Sequence, residues 1–170
     1  LNGESFPACG DIDGDGDEDI IGSAGRMHKI SWWENTGAEW VEHQIAKGFF
    51  FAQDSYAMDY DNDGDIDILG ASYSLNQICW WENVEGEWTK HLVTKEFVQP
   101  RSVYATDLDG DNDVDVVGVG NGTYVCAWYN QGDNVWEMKE INKKFDGAVH
   151  VYSDDLDGDG DNDIVAAAQK

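Results

Sequence analysis

One nine-residue acidic segment occurs four times in this chain at a constant spacing, with copies that begin at Asp11, Asp59, Asp107 and Asp155. Each copy carries Asp at its first, third, fifth, seventh and ninth positions. Five carboxylates within nine residues repel one another, by roughly 3 kcal/mol for each close pair at an effective dielectric constant of about 20. Such a segment is expected to fold stably around a cation, and the spacing is expected to set the architecture of the whole chain.

The carboxylates of these segments are the candidate metal ligands. Oxygen donors alone, with room for water, suit Ca²⁺ better than Zn²⁺ or copper, so the sequence predicts one Ca²⁺ for each segment and up to four in total. The candidates are Asp11, Asp13, Asp15, Asp17, Asp19, Asp59, Asp61, Asp63, Asp65, Asp67, Asp107, Asp109, Asp111, Asp113, Asp115, Asp155, Asp157, Asp159, Asp161 and Asp163.

The details of the segment favour a turn between strands over an EF-hand. Its sixth position, which must turn sharply, is Gly16, Gly64, Asn112 and Gly160, and these residue types tolerate a positive φ. An EF-hand requires a Glu at position 12 and flanking helices, whereas position 12 is Gly or Ala in all four copies. Carboxylates 1, 3, 5 and 9 and the backbone carbonyl at position 7 could surround one cation.

The composition excludes several classes of partner. The net charge is −25, but it falls to −5 when the 20 Asp of the four segments are left out, so the acidity is local. Because no basic stripe exists, nucleic acid is not expected as a partner, and no apolar run reaches the ~20 residues that span a bilayer. Cys9, Cys79 and Cys126 are odd in number and share no period, which indicates free thiols.

The residues between the acidic segments predict four short strands in each repeat. In the third repeat, β-prone runs at 102–106, 114–119, 124–129 and 135–141 are separated by the acidic segment and by turn signals. Four strands in a repeat of this length are typical of a β-propeller blade. We therefore predict an all-β propeller of antiparallel blades over 1–48, 49–96 and 97–144, with half a blade over 145–170 and about 3.5 repeats in all. The first strand should line the axis, the fourth should lie outside, and the acidic loops should share one rim.

Tryptophan follows the same period. Trp32, Trp80 and Trp128 recur at the spacing of the acidic segments, and Trp33 and Trp81 are in step with Tyr129. We expect these rings to pack one sheet against the next.

The motifs Asp-Leu-Asp-Gly-Asp-Asn-Asp-Val-Asp-Val-Val at 107–117 and Trp-Trp-Glu-Asn at 32–35 and 80–83 carry a resemblance to a known family. The chain resembles the FG-GAP/VCBS repeat family, the calcium-loop β-propellers related to the integrin α-subunit head. That resemblance implies a propeller, usually of seven blades, in a secreted or cell-surface protein. It implies adhesion or carbohydrate binding more often than catalysis, although some relatives act on sugars as lyases or dehydratases.

The number of repeats leaves ring closure open. Two chains would supply about seven repeats, so a homodimer is one hypothesis. The alternatives are a ring with two stunted blades or a fragment of a longer propeller.

Function is expected at one of two places. Lys47, Lys95 and Lys143 are in step, as are Phe49, Phe97 and Phe145, and both sets lie on the rim opposite the acidic loops, where they could bind an anionic or sugar ligand. His150 departs from the repeat near the axis, and Asn121-Gly-Thr123 is a glycosylation sequon in a secretory protein. The sequence favours a non-catalytic, extracellular calcium-binding module for adhesion or for glycan or protein recognition, with no catalytic residues. A sugar-acting lyase or hydrolase domain and a purely structural assembly remain alternatives.

Overall fold

The described residues form three four-stranded antiparallel sheets and one two-stranded sheet. The computed structural model describes residues 7–121 and 124–169, so two residues of the predicted sequon, Gly122 and Thr123, lie outside the described residues. All regular structure in the described ranges is β-strand. The predicted all-β class with four-stranded repeats of about 48 residues is confirmed. Within those ranges, no helix is long and apolar enough to cross a membrane.

Each sheet takes its strands in chain order, so each is one propeller-like blade. Blade 1 consists of β1 (Ala8–Gly10), β2 (Asp19–Ala24), β3 (Lys29–Asn35) and β4 (Trp40–Lys47). Blade 2 consists of β5 (Ala52–Met58), β6 (Asp67–Ser72), β7 (Gln77–Val84) and β8 (Glu87–Thr94). Blade 3 consists of β9 (Pro100–Thr106), β10 (Asp115–Gly120), β11 (Val125–Asn130) and β12 (Trp136–Asn142). Blade 4 consists of β13 (Ala148–Asp154) and β14 (Asp163–Ala168). The described sheets do not close into a ring.

The antiparallel order fixes which loops share an end of the blades. Every acidic loop joins the first strand of a blade to its second strand, so all four lie at one end, here called the acidic rim. The turns between second and third strands and the connections between blades lie at the other end, here called the opposite rim. The fourth strands are largely exposed, as expected for the outer edge of a blade: β4 alternates between exposed and partly buried residues over most of its length, and β12 is exposed after its first residue.

The first strands of successive blades are joined directly near the axis. The amide of Val103 donates to Asp54 Oδ2 at 3.0 Å, and the amide of Val151 donates to Ser102 Oγ at 3.3 Å. Beside these bonds, the rings of Tyr56, Tyr104 and Tyr152 form a continuous row, with centroids 4.5 Å and 4.8 Å apart. These tyrosines recur at the period of the repeat, and the row places the first strands innermost.

Apolar residues between neighbouring blades form the core. Between blades 1 and 2 the buried cluster includes Ile21, Ile30, Phe49, Ile68 and Trp81. Between blades 2 and 3 it includes Leu69, Ile78, Phe97, Val116 and Trp128. A smaller cluster around Val117, Ala127 and Val151 joins blade 3 to blade 4. Each blade therefore buries its faces only against its neighbours, as in other repeat architectures.

The tryptophan of the third strand packs against a glycine in the second strand, where a side chain would leave no room for the indole ring. A Cβ on Gly70 would lie 2.9 Å from Trp81 Cζ3 and 2.6 Å from Ile30 Cδ1, and a Cβ on Gly118 would lie 3.0 Å from Trp128 Cζ3. The glycines that argued against an EF-hand thus have a packing role, because any side chain there would displace the ring of the next strand.

The structure corrects the predicted alignment of the third repeat. Trp128 lies opposite Val116, as Trp81 lies opposite Ile68 and Trp33 opposite Ile20, so Trp128 corresponds to Trp81 and not to Trp80. The physical reason is a slip of β11 by one residue. Five residues lie between Asn130 at the end of β11 and its partner Trp136 in β12, whereas four lie between the corresponding pair of blade 2, Asn83 and Trp88.

The same slip aligns two cysteines. Cys79 lies opposite Gly70 and Cys126 lies opposite Gly118, so these buried thiols occupy one repeated position that the constant spacing conceals. Cys9, by contrast, is exposed on blade 1.

Candidate metal centres

The first Asp of each acidic loop closes the loop by accepting a backbone amide. Its Oδ2 atom accepts the amide of the sixth residue at 3.0–3.1 Å in all four loops. The sixth residue has a positive φ in every copy, between 70° and 101°, as predicted. The fourth residue, which is Gly14, Asn62, Gly110 or Gly158, also has a positive φ. That second turn was missed, although its residue types are those that adopt this conformation readily.

The third and fifth Asp form successive Asx turns. In loop 1, Asp13 Oδ1 accepts the amide of Asp15 at 3.2 Å, and Asp15 Oδ1 accepts the amide of Asp17 at 2.8 Å. Each turn points a carboxylate back into the loop, because a short Asx side chain reaches only the amide two residues further on. The third and fifth Asp therefore stabilise the backbone of the loop in addition to contributing charge.

The loops bring three carboxylates together in each blade. In every group, one carboxylate oxygen from each of three Asp lies within 4.8 Å of the others. Loop 1 uses positions 1, 3 and 5, whereas the other loops use positions 1, 3 and 9; the seventh Asp belongs to none of the groups found among the described residues. The groups are Asp11, Asp13 and Asp15; Asp59, Asp61 and Asp67; Asp107, Asp109 and Asp115; and Asp155, Asp157 and Asp163.

The chemistry of these groups fits a hard cation. Asp11 Oδ1 is buried and has no hydrogen-bond partner, which leaves one oxygen of loop 1 without a positive counterpart. Burial, followed by the charges of neighbouring carboxylates, raises the pKa of Asp61. Burial likewise raises the pKa of Asp67 to about 7 and that of Asp115 to about 6, and other loop carboxylates add to both shifts. A divalent cation held by these oxygens would offset the cost of burying the unpaired oxygen of Asp11 and the cost of ionising the buried carboxylates.

The ninth Asp has a second role that the sequence did not reveal. Asp19 Oδ2 accepts the amide of Ile12 at 2.9 Å, and Asp19 Oδ1 accepts the amide of Asn35 at 2.8 Å. Asp67 and Asp115 make the corresponding pair of bonds. All three are buried, so each ties its loop to the end of the third strand. The Asn that recurs at the end of the third strand was the sequence feature from which this second role could have been predicted.

Three segments of the chain, residues 11–69, 59–118 and 107–166, each match the FG-GAP-like repeat family. Each match begins at the first Asp of one acidic loop and ends just beyond the next loop, so the repeat recognised by the family contains the loop geometry described above. The chain belongs to the FG-GAP-like repeat family. FG-GAP repeats often bind calcium and are typical of extracellular proteins. No curated protein resembles this chain closely enough to count as a relative.

The FG-GAP repeats do not present the predicted phenylalanines to a ligand. Phe49 and Phe97 are buried and pack edge-on against Trp81 and Trp128, at centroid distances of 5.0 Å and 4.9 Å. Phe145 is partly buried and packs against the core between blades 3 and 4. The expectation of a ligand surface at these rings is corrected: they fill the gaps between blades, because each blade has a face to bury there.

The three lysines of that prediction remain at the surface. Lys47, Lys95 and Lys143 are all exposed on the opposite rim of the FG-GAP repeats, and Lys143 forms an ion pair with Glu140. Their availability to an anionic ligand stays a prediction.

Two clefts open on the acidic rim between successive FG-GAP blades. The cleft between blades 1 and 2 has a volume of about 600 Å³ and is lined by Trp32, His43 and Trp88. The cleft between blades 2 and 3 has a volume of about 250 Å³, and there Trp80 Nε1 donates to Asn134 Oδ1 at 3.2 Å. The longer turn of blade 3 thus narrows the second cleft.

His150, the residue that departs from the repeat, lies near the axis at the strand position that Ser102 occupies in blade 3 and Asp54 in blade 2. Its counterparts Ser102 and Asp54 are buried and accept backbone amides of the next blade. Burial raises the pKa of Asp54 to about 6, against the bonds from Val103, Ser102 and Ser55 and the charge of His150, which lower it. Asp54 and Ser102 therefore join neighbouring blades, and Asp54 stays protonated at pH values well above the ordinary pKa of 3.8, up to about 6.

Replacing Asp54 with Asn should change how stability depends on pH. The folded pKa of about 6 exceeds the ordinary value of 3.8, so this group contributes stability at low pH that is lost as the pH rises through 6. From pH 5 to pH 8, the wild-type chain should lose roughly 1.4 kcal/mol relative to Asp54→Asn. Denaturant unfolding at both pH values measures this difference. The exposed Asp146→Asn variant is the control, and parallel profiles for Asp54→Asn and wild type would contradict the prediction.

Proposed function

We propose that this chain is a calcium-stabilised, non-catalytic recognition module of an extracellular protein. The observation that carries the proposal is the convergence of three carboxylates in each of the four loops, one of which holds a buried oxygen without a partner. Calcium at these loops would fix the connection between first and second strands in every blade. Membership of the FG-GAP-like repeat family supports both the ion and the extracellular setting.

The role proposed for the ion is structural. The ninth Asp of blades 2 and 3 belongs to a carboxylate group and also binds two backbone amides, so the ion would be coupled directly to the hydrogen bonds that hold the loop. Thermal unfolding in calcium and after chelation tests this part of the proposal. A melting temperature indifferent to chelation would contradict it.

Recognition of a protein or glycan is proposed because polar groups near the axis and on the outer, fourth strands already have hydrogen-bond or ion-pair partners. Asp54 and Ser102 accept amides across blades, and His43 and His91 pair with Glu34 and Glu82 at 2.7 Å and 2.6 Å. Because these polar groups already have partners, the proposed place for a ligand is the exposed side chains of the rims.

We also propose that a second copy of the chain covers the two outer faces of the blade array. Val165 of blade 4 is 40% exposed, whereas its counterpart Val117 is fully buried against the next blade. On blade 1, Ile20 is 38% exposed, whereas its counterparts Ile68 and Val116 are fully buried. Both faces therefore offer the apolar surface that blades bury against one another within the chain.

Sedimentation velocity in millimolar calcium tests this assembly. A compact dimer is expected, and replacing Val165 with Glu should shift it towards monomer, because a charge would be buried between blades. Tyr124→Glu is the control, because Tyr124 is similarly exposed (38%) but lies on blade 3. A wild-type chain that stays monomeric at all concentrations would contradict the dimer.

A further inference from the structure

One corner of the opposite rim keeps the backbone conformation of the repeat but departs from it in the residues that it carries. It lies where the turn between β2 and β3 meets the connection between blades 1 and 2. The amide of Phe49 donates to the carbonyl oxygen of His28 at 3.0 Å, and the amide of Phe51 donates to His28 Nδ1 at 3.3 Å. We call this surface the aromatic corner; its residues are Arg26, Met27, His28, Lys47, Phe50 and Phe51.

The aromatic corner exposes large apolar side chains next to one another. Met27 is 68% exposed, Phe50 is 46% exposed and Phe51 is 41% exposed. The His28 ring lies 4.7 Å from the ring of Phe50 and 5.5 Å from that of Phe51, centroid to centroid, so the three rings form one patch. Contiguous exposed apolar side chains of this kind mark interaction sites.

The backbone at this corner is strained for the residues it carries. Phe51 has a φ of 50°, in the left-handed region that is unfavourable for a bulky residue. The equivalent positions in the next two connections are Gln99, with the same φ, and Gly147, with a φ of 77°. Gln99 also makes the equivalent bond, from its amide to Asn76 Oδ1 at 2.9 Å. The fold therefore needs no aromatic ring here, and an exposed Phe in a strained conformation points to a use for its side chain.

The charges around the corner define the partner. Arg26 and Lys47 are exposed, and residues 25–28 and 47–52 contain no carboxylate, although the chain as a whole has a net charge of −25. Aromatic residues, Met and Arg are the types enriched in protein interfaces. A saccharide is disfavoured because the six residues of the corner carry no carboxylate or amide side chain for its hydroxyl groups, and His28 Nδ1 already accepts the Phe51 amide.

We propose that the aromatic corner is the docking site for a protein partner that presents carboxylates beside apolar side chains. This proposal rests on the recognition role proposed above and specifies its surface and ligand class. The apolar side chains of the partner cover Phe50, Phe51 and Met27, and its carboxylates pair with Arg26 and Lys47. Because the corner is small, the contact belongs to the weak, transient class of interfaces.

The test uses the full chain in millimolar calcium and a displayed library of random 12-residue peptides. Selection on wild type, after removal of peptides that bind the Phe50→Ser/Phe51→Gly variant, should enrich sequences that combine Asp or Glu with Leu, Phe or Met. A synthetic consensus peptide should then bind roughly tenfold or more weakly to that variant and to Arg26→Glu/Lys47→Glu. Val98→Ser changes the exposed counterpart of Phe50 in the next connection and should leave affinity unchanged.

The other outcomes separate the alternatives. Phe51→Gly relieves the positive φ, so this variant keeps its melting temperature, and loss of binding then reports the lost ring. Failure to enrich acidic–apolar peptides, or equal binding to wild type and both variants, overturns the proposal. Binding of polygalacturonate in place of peptide, or self-association that disappears in the Phe variant, also overturns it. Calcium-insensitive melting together with peptide binding would instead defeat the metal role and leave the docking site standing.

Discussion

Replacing Asp19 with Ala is expected to destabilise the chain by about 3–5 kcal/mol, even in the absence of calcium. Asp19 is buried, and its two oxygens accept the amides of Ile12 and Asn35 at 2.9 Å and 2.8 Å. Alanine would leave both amides without an acceptor, and each unsatisfied donor carries its own desolvation cost. Asp19 lies outside the carboxylate group of its own loop, which uses Asp11, Asp13 and Asp15. The effect should therefore appear in chelator as well as in calcium.

Asp17→Ala is the matched control for this prediction. Asp17 stands two residues away in the same loop, carries the same charge and is exposed. Its removal should change the free energy of unfolding by less than about 0.5 kcal/mol, as for other surface substitutions. Urea unfolding in EGTA compares the two variants. Equal midpoints for Asp19→Ala and Asp17→Ala would show that the ninth Asp contributes charge alone.

Removal of calcium is expected to cost about 5 kcal/mol of stability. For a dissociation constant of about 10⁻⁴ M and millimolar calcium, each site adds roughly 1.4 kcal/mol by mass action. Loop 4 should contribute least, because blade 4 has no third strand in the described residues to supply the second amide for Asp163. For a chain of this size, the total corresponds to a drop in melting temperature of roughly 10–20 °C. Calorimetric melts with calcium and with EGTA measure it directly.

Two controls show whether the effect belongs to the acidic loops. Magnesium at the same concentration should restore little of the lost stability, because it demands a rigid octahedral shell that these loops do not offer. The Asp109→Asn/Asp111→Asn variant, which weakens loop 3 alone, should lose about a quarter of the calcium effect. A melting temperature that follows ionic strength alone, with sodium as effective as calcium, would refute the metal centres.

Short-range features of the sequence predicted the acidic loops well. Their Asp spacing gives the carboxylate groups, and Gly or Asn at the sixth position gives the left-handed turn that the structure shows. These features are local, because Asx turns and positive φ values depend on residues only a few positions apart. The constant period of the repeats likewise predicted the blades, since equal segments fold alike and stack.

Which aromatic residues would be buried was decided by contacts between blades. Phe49 and Phe50 are adjacent and identical in type, yet Phe49 fills the gap beside Trp81 and Phe50 is exposed beside His28. The period separates the two, because Phe recurs at 97 and 145 but not at 98 and 146. It does not reveal which ring is buried, because burial depends on the direction that each side chain takes relative to the neighbouring sheet. The exposed ring of this pair is therefore Phe50, one residue after the predicted Phe49.

The sequence by itself determined the acidic loops, the strand content and the repeat of this protein, because each of these follows from residue types at fixed separations. The tertiary structure alone decided the slip of β11, the alignment of Cys79 with Cys126 and the two amides bound by Asp19. These features depend on strand pairing. When the turn before a strand is one residue shorter and the turn after it is one residue longer, the strand shifts by one residue but the period of the sequence stays the same. Strand pairing within each blade thus sets which residues are equivalent, and burial between blades sets which of them remain exposed.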